Sequence, residues 1–593
     1  MTAPEDDARP LAASPPTAGW RAFFPPAQWL ARYQGRWLRH DIVAGVTLAA
    51  YAIPVSLAYA TLAGLPPQTG IYCYLVAGPA YALFGSSRQL AIGPTSAISM
   101  LVGTTLLGMA EGDPQRWAAI AALTALIFAS MSIVAWLLKL SSLVSFISET
   151  ILLGFKAGAA LTIAMTQLPK LFGVKGGGDH FFERVLILGN QLGDTNVAVL
   201  LFGLAAIALL VTGEKLFPGR PVALFVVAAS IVALSVTPLA HLGFSTVGAL
   251  PAGLPHPALP SLRARDADGV IPLAFACFLL AYIEGVSAAR ALAQRHGYEI
   301  DARQELLALG AANVAAAIGQ SYPVAGGLSQ STVNDKAGAK TALALVFASL
   351  AIGICLVFLT RLLENLPNVV LAAIVLVAVK GLINIPELRR VWKLSHMEFW
   401  VAMAAFAGVL LLGILKGVLL AAVVSMLLLI RRAAQPHVAR LGRVPGTPRY
   451  SDVERNPDNE AVPGVLILRV ESGLFYFNID HVRDRVRQHI AAAGEGLRLV
   501  VWDLSSSSYV DIAGTRMLGE LQRELAERGV TLRLVEARAN VRDLVRAEIG
   551  PSIGEVTRRV SIDDAIRAEG LAPAGGASVA RLTTSNENLL GRT

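Results

Sequence analysis

Apolar residues come in long runs through the first three quarters of the chain. Polar interruptions between most of the runs are short, with two long loops at 169–196 and 241–269. The runs fall at 42–60, 68–84, 94–110, 117–138, 143–168, 197–212, 220–240, 270–293, 303–319, 328–337, 341–361, 368–383, 397–414 and 415–432. A helix of about 20 residues crosses a bilayer, so the pattern predicts about fourteen membrane segments. Several runs are short, and two are broken. After Arg432 the pattern changes. VLILRV and LFYFNI read as strands, HVRDRVRQHIAAA as a helix, LRLVVWDL as a buried strand, AGTRMLGELQRELAERG as a helix and VTLRLVEA as another strand. That is a soluble α/β pattern.

The fold class expected is therefore an all-α membrane domain followed by a small α/β domain. The divisions are a cytoplasmic N-terminal segment at 1–40, a transmembrane domain at 41–432, a Pro/Gly/Arg linker at 433–463, the α/β domain at 464–570 and a disordered tail at 571–593. Residues 20–40 mix Trp and Phe with Arg and read as an amphipathic segment on the inner membrane surface.

Composition sharpens this. Of 593 residues, 54% are hydrophobic and 16% charged, against about 25% charged in soluble domains. A soluble enzyme, a disordered scaffold and a disulfide-rich secreted protein are excluded. Beyond Arg432 acidic and basic residues balance, so the net +8 belongs to the apolar block. The excess reflects membrane topology rather than nucleic-acid binding. Arg21, Arg32, Arg36 and Arg39 flank the first run, and Arg431 and Arg432 follow the last. With an even number of segments both termini fall on the cytoplasmic side of the inner membrane.

Both interruptions share one grammar. The first is Leu90-Ala91-Ile92-Gly93-Pro94-Thr95-Ser96, and the second runs from Tyr322-Pro323 through Gly326-Gly327 to Ser329-Gln330-Ser331. Each is a short extended piece leading into a helix start. Non-helical backbone at membrane depth is tolerated where protein buries it or where it lines a cavity. Helix N-termini carry partial positive charge and hold anions. Broken helices at matching places in two halves point to an inverted-repeat transporter with a midplane site. The alternative is a pair of re-entrant segments that only pack.

At these residues the chain resembles the sulfate permease (SulP) family of anion transporters, whose animal members include the anion exchangers and prestin. The resemblance rests on IPVSLAYATLAGLPPQTGIYCYLVAGPAYALFGSSRQLAIGPTSAISMLVG (53–103), EGVSAARALAQRHGYEIDARQELLALGAANVAAA (284–317), SQSTVNDKAGAKT (329–341) and LPNVVLAAIVLVAV (366–379). The C-terminal domain resembles STAS through VVWDLSSSSYVDIAGTRML (500–518). The resemblance implies a seven-plus-seven inverted repeat. Segments one to four and eight to eleven form a core, and the others form a gate. A small anion (sulfate, bicarbonate, chloride or a dicarboxylate) would sit between the half-helices near Pro94 and Ser329, and the core would move past the gate as an elevator. It also implies a homodimer in the lipid bilayer. Pro54-Val55 stands where many members have Pro-Gln, and Ser329-Gln330 where many have Ser-Arg. With two polar groups missing, the hold on a dianion such as sulfate is weakened.

The substrate-binding set expected is Tyr51, Pro94, Thr95, Ser96, Ser329, Gln330 and Ser331. Intramembrane charges are costly and are functional hypotheses by default. Glu284, which matches the acidic residue of the family's eighth segment, reads as a group coupling transport to H+ or Na+, or else as a structural carboxylate. Lys156 lies about 20 Å along the fifth segment at 1.5 Å per residue. It reads as a gate-side charge compensating for Gln330, or as a lysine that snorkels or pairs with an acid. Arg88 reads as a headgroup anchor, and Asp335 with Lys336 as a local ion pair.

No catalytic, metal or cofactor motif stands out. In STAS, Ile512 occupies the position of a phosphorylated Ser in bacterial antagonists, so that switch is absent there. Docking of a cytoplasmic protein partner or dimer stabilisation remain open roles for the domain. The functions weighed are a coupled anion transporter, an uncoupled exchanger or channel, and an anion sensor signalling through STAS.

Overall fold

The computed structural model describes residues 33–106, 113–141, 149–178, 180–217, 221–237, 242–251, 253–260, 267–550 and 560–571, with Pro25, Leu30 and Met109. The expectations for 1–32 and for the tail beyond Leu571 lie outside these residues. The chain divides into two compact units, Met1–Ser425 and Met426–Thr593.

Among the described residues a helix stands at each apolar run. In order these are α1 (Gly35–Leu62), α2 (Pro67–Phe84), α3 (Ser96–Leu106), α4 (Pro114–Leu137), α5 (Glu149–Phe172), α7 (Val197–Leu216), α8 (Val222–Val236), α9 (Ala267–Arg295), α10 (Ala302–Ile318), α11 (Leu328–Lys336), α12 (Leu343–Phe358), α14 (Asn368–Lys380), α16 (His396–Leu412) and α17 (Ile414–Ala434). Among the described residues six helical segments are long and apolar enough to cross a membrane, one of them Asn368–Leu394, which runs beyond α14. α11 has nine residues, about 14 Å at 1.5 Å each, or half a bilayer. Three further helices sit in connections: α6 (Phe181–Gln191), α13 (Thr360–Leu363) and α15 (Ile385–Leu394). The sequence reading took the stretches holding α6 and α15 as loops. Both are short and amphipathic, and α15 buries no residue.

α4 packs on α9 and α10, α1 on α2, α11, α12 and α14, and α5 on α7, α14 and α16. Small residues set the closeness, as is usual where lipid replaces water as the solvent. A Cβ on Gly154 would lie 1.9 Å from the Ala402 carbonyl oxygen, and one on Gly45 2.6 Å from that of Ala344. Those glycines let α5 meet α16, and α1 meet α12, backbone to backbone.

The second unit holds a five-stranded sheet of β3 (Val438–Arg443), β4 (Tyr450–Asp452), β5 (Val465–Val470), β6 (Leu499–Asp503) and β7 (Thr531–Val535), in the order β4-β3-β5-β6-β7. β5, β6 and β7 run parallel, and β3 is antiparallel to both its neighbours. Two readings are corrected here. The 433–463 segment is not a linker throughout, because β3 and β4 lie in it and extend the sheet. LFYFNI is not a strand. The Asn478 side chain accepts from the Phe475 N–H and donates to the Gly473 carbonyl, which closes a turn that opens α18 (Ile479–Ala493). α18, α19 (Ile512–Glu527) and α20 (Ala539–Ile549) supply the core on one face of the sheet, with Trp502 fully buried. α21 (Ile562–Ala568) covers the other face.

Candidate functional site

The two interrupted segments meet. β1 (Ile92–Gly93) pairs antiparallel with β2 (Ala325–Gly326), Ile92 opposite Gly326 and Gly93 opposite Ala325. This two-residue ladder satisfies backbone groups that lipid could not. It also fixes the start of α3 next to the start of α11. The first turn of each helix leaves N–H groups without helical partners, and each N-terminus carries about half a positive charge.

Four expected residues line or approach this junction. Pro94 is buried in extended backbone, two residues ahead of α3 rather than at its first position. Thr95 and Ser96 are 9% and 7% exposed. The Thr95 hydroxyl is buried with no hydrogen-bond partner. Tyr59 of α1 is buried too, 8% exposed. Ser329, in the first turn of α11, is exposed.

Gln330 and Ser331 are held differently from expectation. Gln330 Nε2 donates to the carbonyl oxygens of Ala91 (3.0 Å) and Ala325 (3.1 Å), and its Oε1 accepts from Tyr74. Ser331 Oγ accepts from the Ala91 N–H (2.9 Å) and donates to Gly327 (2.7 Å). These side chains knit the ladder together. Tyr51 is half-buried and packs on the apolar core.

Lys156 reaches Glu284. The ammonium lies 3.2 Å from Glu284 Oε1, with the side chains 28% and 12% exposed. Lys156 thus pairs with an acid of α9. The next residue, Gly285, lies beside the Gly326 backbone, 3.7 Å from where its Cβ would be. Glu284 therefore stands one residue from the contact of α9 with β2.

Other polar groups prove to be scaffolding that sequence reasoning missed. Glu305, 4% exposed, accepts from Tyr81 OH (2.8 Å), Ser86 Oγ (2.6 Å) and the N–H groups of Ser86 and Ser87. Asp41, fully buried, accepts from Thr341 Oγ1 and the N–H groups of Lys340 and Thr341. Asn313 holds Val324 through both backbone groups. Arg88 stacks over the Tyr298 ring at 4.7 Å. Asp335 pairs with His296 at 2.5 Å rather than with Lys336.

The ladder thus ties the start of α3 to that of α11, with the buried Thr95 hydroxyl unpartnered just ahead of α3. The sulfate permease family matches residues 38–405, and the STAS domain residues 456–560. The chain belongs to the sulfate permease family. A Mycobacterium tuberculosis protein named "Probable sulfate transporter" is 34% identical over 553 residues, covering 93% of this chain and 98% of its own. The chloroplastic sulfate transporter 4.1 of Arabidopsis thaliana is 30% identical over 571 residues, covering 92% and 82%. The solved structure of SLC26A9 shares the fold with a TM-score of 0.83 at 23% identity over 93% of each chain. The transmembrane domain of the cyanobacterial bicarbonate transporter BicA does so with 0.59 at 22%, covering 65% of this chain and 98% of its own. This member of the family is an integral membrane anion transporter with a C-terminal STAS domain, not an enzyme.

Proposed function

We propose that the protein is a secondary transporter of small anions, sulfate foremost, in the inner membrane with both termini cytoplasmic. The α1–α4 and α9–α12 core carries the anion past a gate containing α5, and two copies assemble as a dimer. Glu284 couples the movement to H+ or Na+. The STAS domain serves as a docking surface for a cytoplasmic partner or the second copy. The observation that carries the reading is the buried, unpartnered Thr95 hydroxyl just ahead of α3, whose start the ladder ties to that of α11. A polar atom left so is rare unless something fills its place. The sulfate transporters among the relatives support sulfate as first candidate. BicA keeps bicarbonate in view.

The test is uptake of labelled sulfate, bicarbonate, chloride and fumarate into proteoliposomes, with and without an inward proton or sodium gradient, for the wild type and Glu284→Gln. Gradient-driven uptake of one anion, lost in the variant, is expected. Flux equal in both proteins overturns coupling at Glu284. Absence of flux for every anion overturns transport of this set. One observation favours a second reading, uncoupled exchange: Glu284 already has a cation beside it in Lys156.

A further inference from the structure

We propose that an aromatic patch at one end of the STAS sheet, made of Phe475, Tyr476, Phe477 and Tyr509, seats in the headgroup layer of the lipid leaflet from which α17 emerges. The lipid surface is its partner, and the rings hold the domain against the membrane.

Two loops at the same end of the sheet build the patch. Residues 471–478 follow β5 and residues 504–511 follow β6, and these strands run parallel. The loops are tied backbone to backbone. The Leu474 N–H donates to the Tyr509 carbonyl and the Asp511 N–H to that of Leu474, both at 3.0 Å. On that frame the Phe475 ring stacks on those of Phe477 (5.3 Å) and Tyr509 (5.5 Å), and Tyr476 meets Phe477 edge-on at 5.4 Å. Tyr476 is 76% exposed, and Phe477, Tyr509 and the adjacent Ile512 are exposed as well. SGLFYFNI (472–479) and SSSSYV (505–510) carry no charge. The carboxylate that adjoins them, Asp511, is occupied by the N–H groups of Tyr476 and Gly514. An exposed apolar patch of this kind marks a contact surface.

The end of α17 sets its depth. The apolar run Met426-Leu427-Leu428-Leu429-Ile430 gives way to Arg431 and Arg432, so hydrocarbon ends near Ile430. Ala433 lies about 4.5 Å further along the helix at 1.5 Å per residue. The headgroup layer on each side of a bilayer is about 5–7 Å deep, which places Ala433 inside it. Asn478 Nδ2 donates to the Ala433 carbonyl oxygen at 3.2 Å, and the Glu471 N–H to that of His437 at 3.0 Å. Tyr476 is two positions from Asn478, at most about 7 Å along the backbone. β3 also enters the sheet at this end, with Val438 opposite Val470. The rings therefore stand where the chain leaves the membrane. Tyrosine suits that level because its ring is apolar and its hydroxyl stays wet. Arg431 and Arg432 add the positive charge that anionic headgroups attract. A soluble partner would reach this end of the sheet only by displacing headgroups.

The experiment places a fluorescent probe on the patch of the full-length protein in nanodiscs, where both membrane faces are open to solution. All three native cysteines are buried, so bimane can report from Tyr476→Cys, from Tyr509→Cys or from the exposed Glu495→Cys at the opposite end of the sheet. The quenchers are lipids with a nitroxide near the headgroup end of the acyl chain and, from the water, iodide. Lipid quenching at Tyr476→Cys and Tyr509→Cys is expected to exceed that at Glu495→Cys by about fivefold, and iodide quenching to be about threefold weaker. Adding Tyr476→Ser and Phe477→Ser should cut lipid quenching at Tyr509→Cys by about threefold. Iodide quenching at the patch equal to that at Glu495→Cys overturns the proposal, because the rings then stand in water. Protection from both quenchers overturns it as well, because protein of this chain or of a second copy then covers the patch. Lipid quenching unchanged by the two serines overturns the holding role of the rings.

Discussion

The Lys156 ammonium stands 3.2 Å from the Glu284 carboxylate, and so a charge on α5 is matched by one on α9. Removing one partner of a fully buried pair leaves the other uncompensated at about 3–5 kcal/mol; this pair is part-exposed, so the cost should be smaller, and removing both partners milder still. Lys156→Met is expected to lower the unfolding temperature in detergent, and Lys156→Met/Glu284→Gln to recover most of it. Independent effects of the two substitutions would show that the pair carries no coupling energy.

Thr95 and Gln330 should separate binding from scaffolding. Thr95 Oγ1 has no partner, so Thr95→Val should weaken anion affinity by about tenfold, one charge-assisted hydrogen bond of about 1.5 kcal/mol, with unfolding temperature unchanged. Gln330→Ala orphans buried groups on Ala91, Ala325 and Tyr74, at about 1–3 kcal/mol each. Its loss should appear first as instability. Anion binding by calorimetry beside a thermal melt reads both.

Asp511 precedes α19 and caps it. One oxygen accepts from the Gly514 N–H at 2.8 Å and the other from the Tyr476 N–H at 2.6 Å. Asp511→Ala should cost the STAS domain about 1–2 kcal/mol. Hydrogen exchange of the α19 amides in the full chain measures it, and unchanged protection would refute the cap.

Asp452 makes the edge of the STAS sheet sensitive to acid. Burial raises its pKa, but bonds from His437 (3.0 Å) and the Glu454 N–H (2.9 Å) outweigh burial and bring it below the usual carboxylate value. A carboxyl with a depressed folded pKa stabilises above its unfolded pKa, about 3.9. That stabilisation is lost as pH falls through the folded value. Protection factors of β3 and β4 amides should drop below about pH 4, and Asp452→Asn should remove the drop.

The helices of the membrane unit were legible because hydrophobic runs are local. So were the two interruptions, since Gly93-Pro94 and Gly326-Gly327 break helices by themselves. What the pieces touch was not legible. Gln330 and Ser331 look like ligands in sequence because they are polar at a helix start. Their partner, Ala91, is far away along the chain, and only the ladder brings it near. Lys156 admitted two readings in sequence, because its contact with Glu284 joins residues far apart in the chain. Glu305, in the first turn of α10, and Asp41, in the second turn of α1, are ordinary acidic residues in sequence, and nothing local marks them as buried clamps. VARLGR was passed over as linker because its arginines mask a strand whose other residues are buried.

The ladder has a consequence for biogenesis. Ala91 and Gln330 are separated by 239 positions in the chain. Contacts of such long range form late, after the entropy of closing the loop has been met. During synthesis the α3 half-helix emerges long before its counterpart. Until then its extended lead-in has no strand to pair with and lies at membrane depth with open backbone groups. Docking of the two halves is thus the step that completes the membrane unit, and a nascent chain stalled before Ala325 presents a polar defect for quality control to find.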